Sequence, residues 1–429
     1  MLKGTLKSVF VLSILLTLSG SVSAEQTENK EEKETFWSRA TFSGDWFGIR
    51  QKMADKGAQI DIVYTADMAS NVSGGLDKDI IYLDNLDLTL GLDMEQLVGW
   101  KGASLFIYGI SNYGGDPTTK TGDAQGVDNI ESQNSARLHE AWLQQNFLED
   151  KISVKAGLYD TNSEFDVIET GGLFINSSHG MGPDFSQSGL NGTGAFPATG
   201  LAGRLLVKPF KGFYLQTAVT EGTPQDPNDP KSPLQIQYDT NEGVLLLNEL
   251  GFLTQERNEE ARYAKFALGG WYYSSQFDDL VDVDGVGNPV KRANYGIYGL
   301  GEYNIYAEKD DPDQGLNVFF RGGFANGSVN QFKGYVGLGA VYTGLIPKRD
   351  EDQIGLAVAT AINSSKYKQS VIATGSTATS TEVNVELSYR AQITPWLAIQ
   401  PDIQYIANPG TDPTLNDAIH VGARFELVF

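Results

Sequence analysis

Several stretches of the chain alternate apolar and polar residues with a period of two. In the last ten residues, the apolar side chains on one face are Val421, Ala423, Phe425, Leu427 and Phe429. The same period runs through residues 60–68, 86–95, 382–391 and 397–406. Each stretch predicts a strand of about ten residues with one apolar and one polar face, the length that a tilted strand needs to cross a bilayer.

A soluble β-sandwich also alternates, with its polar face to water, so the period alone leaves two fold classes open. Long polar or glycine-rich connections alternate with short ones, and the long ones are residues 114–131, 171–199, 221–238 and 278–292. Aromatic residues stand at strand ends, where a membrane-interface girdle would lie: Trp100, Tyr113, Trp271, Tyr272, Tyr342, Trp396 and Tyr405. We therefore predict an all-β fold, a transmembrane antiparallel β-barrel of about 16 strands, each of about ten residues.

The N-terminal residues point to export. A basic start with Lys3 and Lys7 precedes a mostly apolar run over residues 8–18, and Val22-Ser23-Ala24 supplies small residues for cleavage. This pattern is typical of a secretory signal peptide over residues 1–24. Residues 25–36 then read as a flexible arm, and residues 37–429 as a single barrel domain that begins with a short helix over residues 46–56, capped by Asp45 and stopped by Gly57.

Composition excludes several function classes. The formal net charge is −22, which argues against nucleic acid as a partner because phosphate backbones bind dense cationic surfaces. Cysteine is absent, which excludes disulfides, thiolate metal sites and cysteine nucleophiles. His139-Glu140 begins like a zinc-protease helix, but Leu143 stands where the second histidine belongs. We expect no catalysis, no metal and no cofactor.

The alternation also selects residues for the lumen. In residues 137–147, Ala141 and Leu143 suit lipid, which turns Glu140, Trp142 and Gln144 inward. The same logic turns inward Lys155, Tyr159, Arg321, Glu386 and Arg390. Carboxylates, guanidinium groups and aromatic faces are the groups that recognise sugars. A water-filled pore lined by charge pairs uses the same residues, so the chemistry alone leaves both interpretations open.

A set of ordered motifs resembles the carbohydrate-selective porin family, OprB, from about Phe42 to the C-terminus. The motifs occupy residues 43–50, 54–57, 64–67, 71–75, 97–102, 137–143, 157–165, 173–178, 270–273, 311–315 and 394–402. One position departs from the pattern: many relatives carry a Gly-Gly pair after Gly-Asp-Trp, and Phe47 replaces its first glycine.

The resemblance implies a sixteen-stranded outer-membrane porin that passes small, glucose-like sugars by facilitated diffusion, with residues 171–197 folded inward to narrow the lumen. Asn176 and Ser177 match a family motif within this segment, and Asp160 and Glu164 lie just before it. With Glu140, Trp142, Gln144 and Arg204, these are the residues expected to form the constriction or to contact sugar.

The expected partners follow from the same interpretation. They are small sugars, outer-membrane lipid with lipopolysaccharide, and the barrel-assembly machinery acting on the C-terminal strand that ends at Phe429. A homotrimer is the assembly left open. The alternative function is a general or cation-preferring diffusion porin, which the strongly acidic composition favours.

Overall fold

The structure is a computed structural model that describes residues 35–226, 243–254, 262–309, 311 and 313–429. The signal peptide and most of the arm lie outside these residues. Among them, the strands are β1 (Ala58–Ser73), β2 (Ile80–Asp93), β3 (Ala103–Gly114), β4 (Ser135–Phe147), β5 (Ile152–Tyr159), β6 (Gly200–Val207), β7 (Phe213–Glu221), β8 (Val244–Leu253), β9 (Ala264–Val283), β10 (Pro289–Ala307), β11 (Gly315–Ala325), β12 (Phe332–Thr343), β13 (Gln353–Asn363), β14 (Thr381–Thr394), β15 (Leu397–Ala407) and β16 (Ala418–Val428).

These sixteen strands form one closed antiparallel barrel. Each strand pairs with its neighbours in sequence, and β1 pairs with β16 to close the ring. Closure leaves no open edge, which a lipid environment requires because it offers no hydrogen-bond partners to free backbone groups. The predicted fold class and strand number are therefore confirmed.

The helices are short. The α-helices are α1 (Ile49–Ala54), α2 (Met94–Val98), α3 (Thr118–Thr121), α4 (Pro183–Ser186) and α5 (Ser365–Ala373), and 3₁₀ turns occur at Trp46–Gly48, Thr161–Ser163, Thr170–Leu173, Ser177–His179 and Pro409–Thr411. In the described part of the chain, no helix is both long and apolar enough to cross a membrane. The predicted N-terminal helix is present but starts later than expected, because Phe47 has φ of +60° and interrupts it.

The alternation places side chains as predicted along most strands. On β1, Asp61, Thr65 and Asp67 face the lumen, while Ile62 and Met68 face outward. The same division runs through β14, where Glu386 and Arg390 face inward and Leu387 faces outward. A polar lumen and an apolar outer surface follow from this period.

Two of the predicted girdle positions are wrong. Trp271 on β9 is buried in the lumen, where its ring stacks on Phe185 at 5.4 Å. Trp396 lies in the β14–β15 turn beneath Phe36, to whose carbonyl its Nε1 donates at 3.0 Å. Trp100, Tyr113, Tyr272 and Tyr405 are exposed, as a girdle requires.

The connection lengths also need one correction. Residues 278–292 were expected to form a long loop, but they belong mostly to the two longest strands, and β9 ends at Val283 only six residues before Pro289 begins β10. Residues 114–131 and 171–199 are long connections at the same end of the barrel as this hairpin. The predicted loop 221–238 lies partly outside the described residues.

The connection between β5 and β6 folds into the barrel. We call residues 160–199 the inner segment. Its apolar side chains pack against inward-facing rings of the wall, which gives the barrel an interior hydrophobic core of Phe165, Leu173, Phe174, Met181, Phe185, Trp271, Tyr298 and Phe319 among others. This core is the reason that Trp271 turns inward, since it covers the inner segment.

Candidate functional site

The inner segment is held by glutamates of the facing wall. Glu302 on β10 accepts hydrogen bonds from the backbone N–H groups of Glu169 and Thr170, at 3.0 and 2.6 Å. Glu386 on β14 accepts from the N–H groups of Ile175 and Asn176, at 2.6 and 3.0 Å. Because a bare carboxylate and free amides are both costly to bury, each pairing satisfies the two partners at once.

Glu249 on β8 has the same role at the start of the segment. It accepts from the N–H of Asp166 at 3.1 Å and from the hydroxyl of Tyr298 at 2.6 Å. We call Glu249, Glu302 and Glu386 the tethering glutamates. Their lumenal positions follow from strand alternation, but their amide partners lie far away in sequence.

Arg321 on β11 ties two distant parts of the inner segment together. Its guanidinium binds Asp166 through Nε and Nη2, at 3.1 and 2.8 Å, and binds Asp184 through Nη1. All three side chains are buried. Glycine at positions 182 and 323 is needed here, because a Cβ at either would overlap the guanidinium.

The wall formed by β4, β5 and β6 carries a charge cluster centred on Glu164. The Glu164 carboxylate accepts from Lys155 Nζ at 2.8 Å, from the Tyr159 hydroxyl at 2.6 Å and from Arg204 Nε at 2.7 Å. Arg204 Nη2 also donates to Gln144 Oε1 at 3.0 Å. We call Glu164, Lys155, Tyr159, Arg204 and Gln144 the Glu164 cluster.

Accessibility differs within this cluster. The Glu164 side chain is 23% exposed, whereas those of Lys155 and Arg204 are 5% and 2% exposed. Burial alone would raise the pKa of the Glu164 carboxyl, but the charges of Lys155 and Arg204 outweigh it and hold that pKa below its ordinary value. Glu164 is therefore ionised and presents a carboxylate edge.

Glu140 and Trp142 form a second group beside this cluster. Trp142 Nε1 donates to Glu140 Oε2 at 3.0 Å, and the same oxygen accepts from the N–H of Asp160 at 3.3 Å. Lys155 Nζ lies 4.1 Å from the centre of the Trp142 ring, a cation–π distance that links the two groups. A register shift opposite Tyr108 and Gly109 lets both His139 and Glu140 face inward, and His139 Nε2 lies 3.1 Å from Asp160 Oδ2.

The structure thus brings together six of the eight predicted site residues. Glu140, Trp142, Gln144, Asp160, Glu164 and Arg204 are connected on one wall. Asn176 and Ser177 lie apart, against β14, β15 and the β3–β4 connection. Asn176 is buried, accepts from the N–H of Ser178 at 3.0 Å and donates to Gln404 at 3.3 Å, and the Ser177 hydroxyl donates to the carbonyl of Asp128 at 3.3 Å. These contacts shape the inner segment.

Lys155, Tyr159 and Phe106 also belong to this wall, but the sequence did not assign them to the site. Lys155 was expected to face inward but was not assigned to the site, although it joins Glu164 to Trp142. Phe106 on β3 is partly exposed and stacks on Trp142 at 5.1 Å. Strand pairing would have found Phe106, since it is the register partner of Trp142. In the part of the chain that the structure describes, no cluster of histidine and acidic side chains is arranged to hold a metal ion.

Comparison with known proteins gives a consistent result. The model of the carbohydrate-selective porin, OprB family, matches residues 77–429. Porin B of Pseudomonas aeruginosa is 26% identical over 423 residues, which covers 90% of this chain and 90% of that protein.

Two solved structures share the fold. The high-pH structure of Pseudomonas putida OprB superposes with a TM-score of 0.84 at 22% identity, over 92% of this chain and 100% of that one. The low-pH structure of the same protein gives a TM-score of 0.59 at 19% identity, over 91% of this chain and 99% of that one. At this identity, the two superpositions support the barrel fold.

Proposed function

The chain belongs to the carbohydrate-selective porin, OprB family, and from this premise we propose that it admits small, glucose-like sugars through a lumen narrowed by the inner segment. It is an outer-membrane porin, a channel and not an enzyme. The finer part of the proposal concerns the sugar and the residues that select it. The observation that carries it is the partly exposed, ionised carboxylate of Glu164, which Lys155 links to the aromatic pair of Phe106 and Trp142.

The chemistry of this wall suits a sugar ring. Sugar hydroxyls donate to the exposed edge of Glu164, while the partly exposed face of Phe106 is available to the apolar C–H side of the ring. Lys155 and Arg204 keep the carboxylate fixed and ionised. Each contact is weak and solvent-accessible, as a channel requires, because a tightly held sugar would not leave.

A general or cation-preferring porin is the competing function. The net charge of −22 favours it. However, the tethering glutamates accept hydrogen bonds from backbone amides, and Glu164 forms ion pairs with Lys155 and Arg204. These four carboxylates are therefore less available to attract cations, which favours the sugar function.

The test is single-channel conductance of the refolded barrel in a planar bilayer, titrated with glucose. We expect saturable block of the ionic current. In Glu164→Gln, loss of one charged hydrogen bond, worth about 1.5–3 kcal/mol, should weaken the block roughly tenfold or more. Glu149→Gln is the matched control, because Glu149 is exposed in the β4–β5 turn and should leave the block unchanged.

An ohmic, cation-preferring current without glucose block in the wild type would contradict the sugar proposal and leave the general porin. Equal block in the wild type and Glu164→Gln would contradict the assignment of Glu164 alone.

We propose in addition how the chain is exported, inserted into the outer membrane and assembled. Residues 1–24 direct export and are removed, residues 25–36 form the arm, and the assembly machinery recognises the final strand ending at Phe429. Lipopolysaccharide surrounds the outer rim, and a homotrimer is the assembly we would test by native mass in mild detergent. A single barrel mass would contradict the trimer.

A further inference from the structure

An aromatic group outside the barrel lies where the barrel closes. Phe36 and Trp37 pack on Trp396, with ring centroids 5.0 and 5.9 Å apart. Phe42 contacts the ring of Phe429 at 5.4 Å, and its N–H donates to the carbonyl of Val428 at 2.6 Å. We call residues 36–50 the N-terminal clamp. It is attached to the rim that carries the short turns.

Phe42 of the clamp packs on the outward face of the rim. Phe429 continues the outward face of β16 by alternation, and Phe42 contacts its ring at 5.4 Å. Leu427 and Phe425 continue the same outward face upward, opposite Tyr64 and Ala66. The aromatic rings of the clamp therefore extend the apolar outer surface beyond the end of the strands.

Phe47 is the most unusual residue of the clamp. Its side chain is fully exposed, at 105% of the reference area, and its φ of +60° lies in the left-handed region. That conformation is costly for a bulky residue and natural for glycine. No packing within the described structure compensates for it, since the ring has no buried surface. A contact with a molecule outside the chain would explain why Phe47 is kept exposed in this conformation.

The neighbouring groups identify the chemistry of that contact. Trp37 is 65% exposed, and Ile49 is 50% exposed. Helix α2 and the residues just after it add exposed Leu97, Val98 and Trp100. The N–H of Asp93, before α2, donates to the carbonyl of Gly57, shortly after α1, at 2.7 Å. Arg39 lies over the rings of Phe36 and Phe42, at 4.3 and 5.8 Å from their centres, and exposed Lys52 and Lys56 follow in the same stretch, with Asp45 and Asp55.

Aromatic and apolar side chains interspersed with cations are the composition of a segment that lies in the headgroup region of an anionic bilayer. We propose that the N-terminal clamp is a membrane-interface anchor, with Trp37 and Phe47 inserted into the inner leaflet of the outer membrane beside the β1–β16 closure. Arg50 connects the anchor to the last residue of the barrel. Its guanidinium lies 4.4 Å from the centre of the Trp46 ring and donates to the carbonyl of Phe429 at 2.5 Å.

Because the chain contains no cysteine, a single introduced cysteine can be labelled specifically. Trp37→Cys and Phe47→Cys are labelled with an environment-sensitive fluorophore in the full-length barrel, reconstituted in vesicles of phosphatidylethanolamine and phosphatidylglycerol. Glu149→Cys is the matched control, exposed in a turn of the same rim. We expect brominated phospholipid to quench the labels at 37 and 47 at least about threefold more than the label at 149, and aqueous iodide to show the reverse order.

Equal iodide quenching at all three sites would overturn the anchor. Disulfide-linked dimers of Phe47→Cys in vesicles would also overturn it, since they would identify a second copy of the chain as the occupant. As a second variant, Phe47→Gly relieves the left-handed strain, so a merely structural Phe47 predicts no change at position 37. The anchor predicts that the label at 37 becomes about twofold more accessible to iodide.

Discussion

The two walls of the lumen use the same residue type for different purposes. On the β4–β6 wall, Glu164 of the inner segment meets Lys155 and Arg204, and it keeps one edge exposed. On the opposite wall, Glu302 and Glu386 meet backbone amides of the inner segment and are fully buried. A glutamate in a porin lumen is therefore not by itself part of the selective surface, and its partner decides.

The difference has an energetic basis. A glutamate that accepts from two amides replaces its hydration with two charge-assisted bonds, so it fixes the fold of the segment and leaves little free acceptor capacity. A glutamate matched by side-chain cations keeps accessible lone pairs when its edge faces water. We expect the first kind to control the width of the pore and the second kind to control its selectivity.

Arg321→Met should give the largest effect on the tethered wall. It leaves Asp166 and Asp184 buried without their cation, a change that costs about 3–5 kcal/mol in comparable pairs. We expect the inner segment to loosen, conductance to rise severalfold and glucose block to disappear. The triple variant Arg321→Met, Asp166→Asn, Asp184→Asn should regain part of the block, and a triple variant no better than the single one would contradict the role of the charges.

Glu386→Gln should give the next largest effect. The amide keeps one acceptor oxygen for Ile175 and Asn176 but loses the charge, which weakens the tether by about 1.5–3 kcal/mol. Limited proteolysis within the inner segment should become faster, and open-channel noise should increase. Glu382→Gln is a useful comparison, since Glu382 accepts from Ala124 and Gln125 of the β3–β4 connection instead; it should leave inner-segment cleavage unchanged.

Acid should loosen the same segment through His179. Burial lowers the pKa of His179 to about 3, and Glu386 Oε2 lies 3.9 Å from its Nε2. When the inner segment is released, His179 titrates at its ordinary pKa of about 6.5 and binds a proton below that pH, whereas the buried His179 does not. The free energy that holds the segment in place therefore decreases as the pH falls from about 6.5 towards 3. One pH unit below 6.5 the loss is roughly 1 kcal/mol. In His179→Leu, the rate of proteolysis within the inner segment should depend less on pH between about 6.5 and 3. A profile identical to that of the wild type would contradict the role of His179.

Ser177→Ala should give the smallest effect. The hydroxyl makes one bond of 3.3 Å to the carbonyl of Asp128, and such a bond contributes about 0.5–1.5 kcal/mol. We expect glucose block within about twofold of the wild type in the conductance assay. A tenfold loss would show that Ser177 contacts sugar and would move the selective surface towards β14.

The period of two predicted the lumenal side of Glu140, Trp142 and Glu386, because alternation depends on neighbours in sequence. The barrel and its strand number needed the export signal, the aromatic residues and the chain length as well. The girdle assignment failed at Trp271, because the lumenal surface that this ring faces is formed by the apolar inner segment and not by water. The period of two also missed the division between tethers and selective groups, since the partners of Glu386 are more than 200 residues away. Long-range pairing of this kind leaves no local pattern.

The most direct test of the two-wall account is the glucose dependence of single-channel current in Glu164→Gln and Glu386→Gln, measured side by side with the wild type. The account predicts that Glu164→Gln weakens glucose block roughly tenfold, as the loss of about 1.4 kcal/mol would, while the steady current without sugar stays quiet. It predicts that Glu386→Gln increases current noise and that the mean current without sugar rises. Identical behaviour of the two variants, in block and in noise, would contradict the division of roles between the walls.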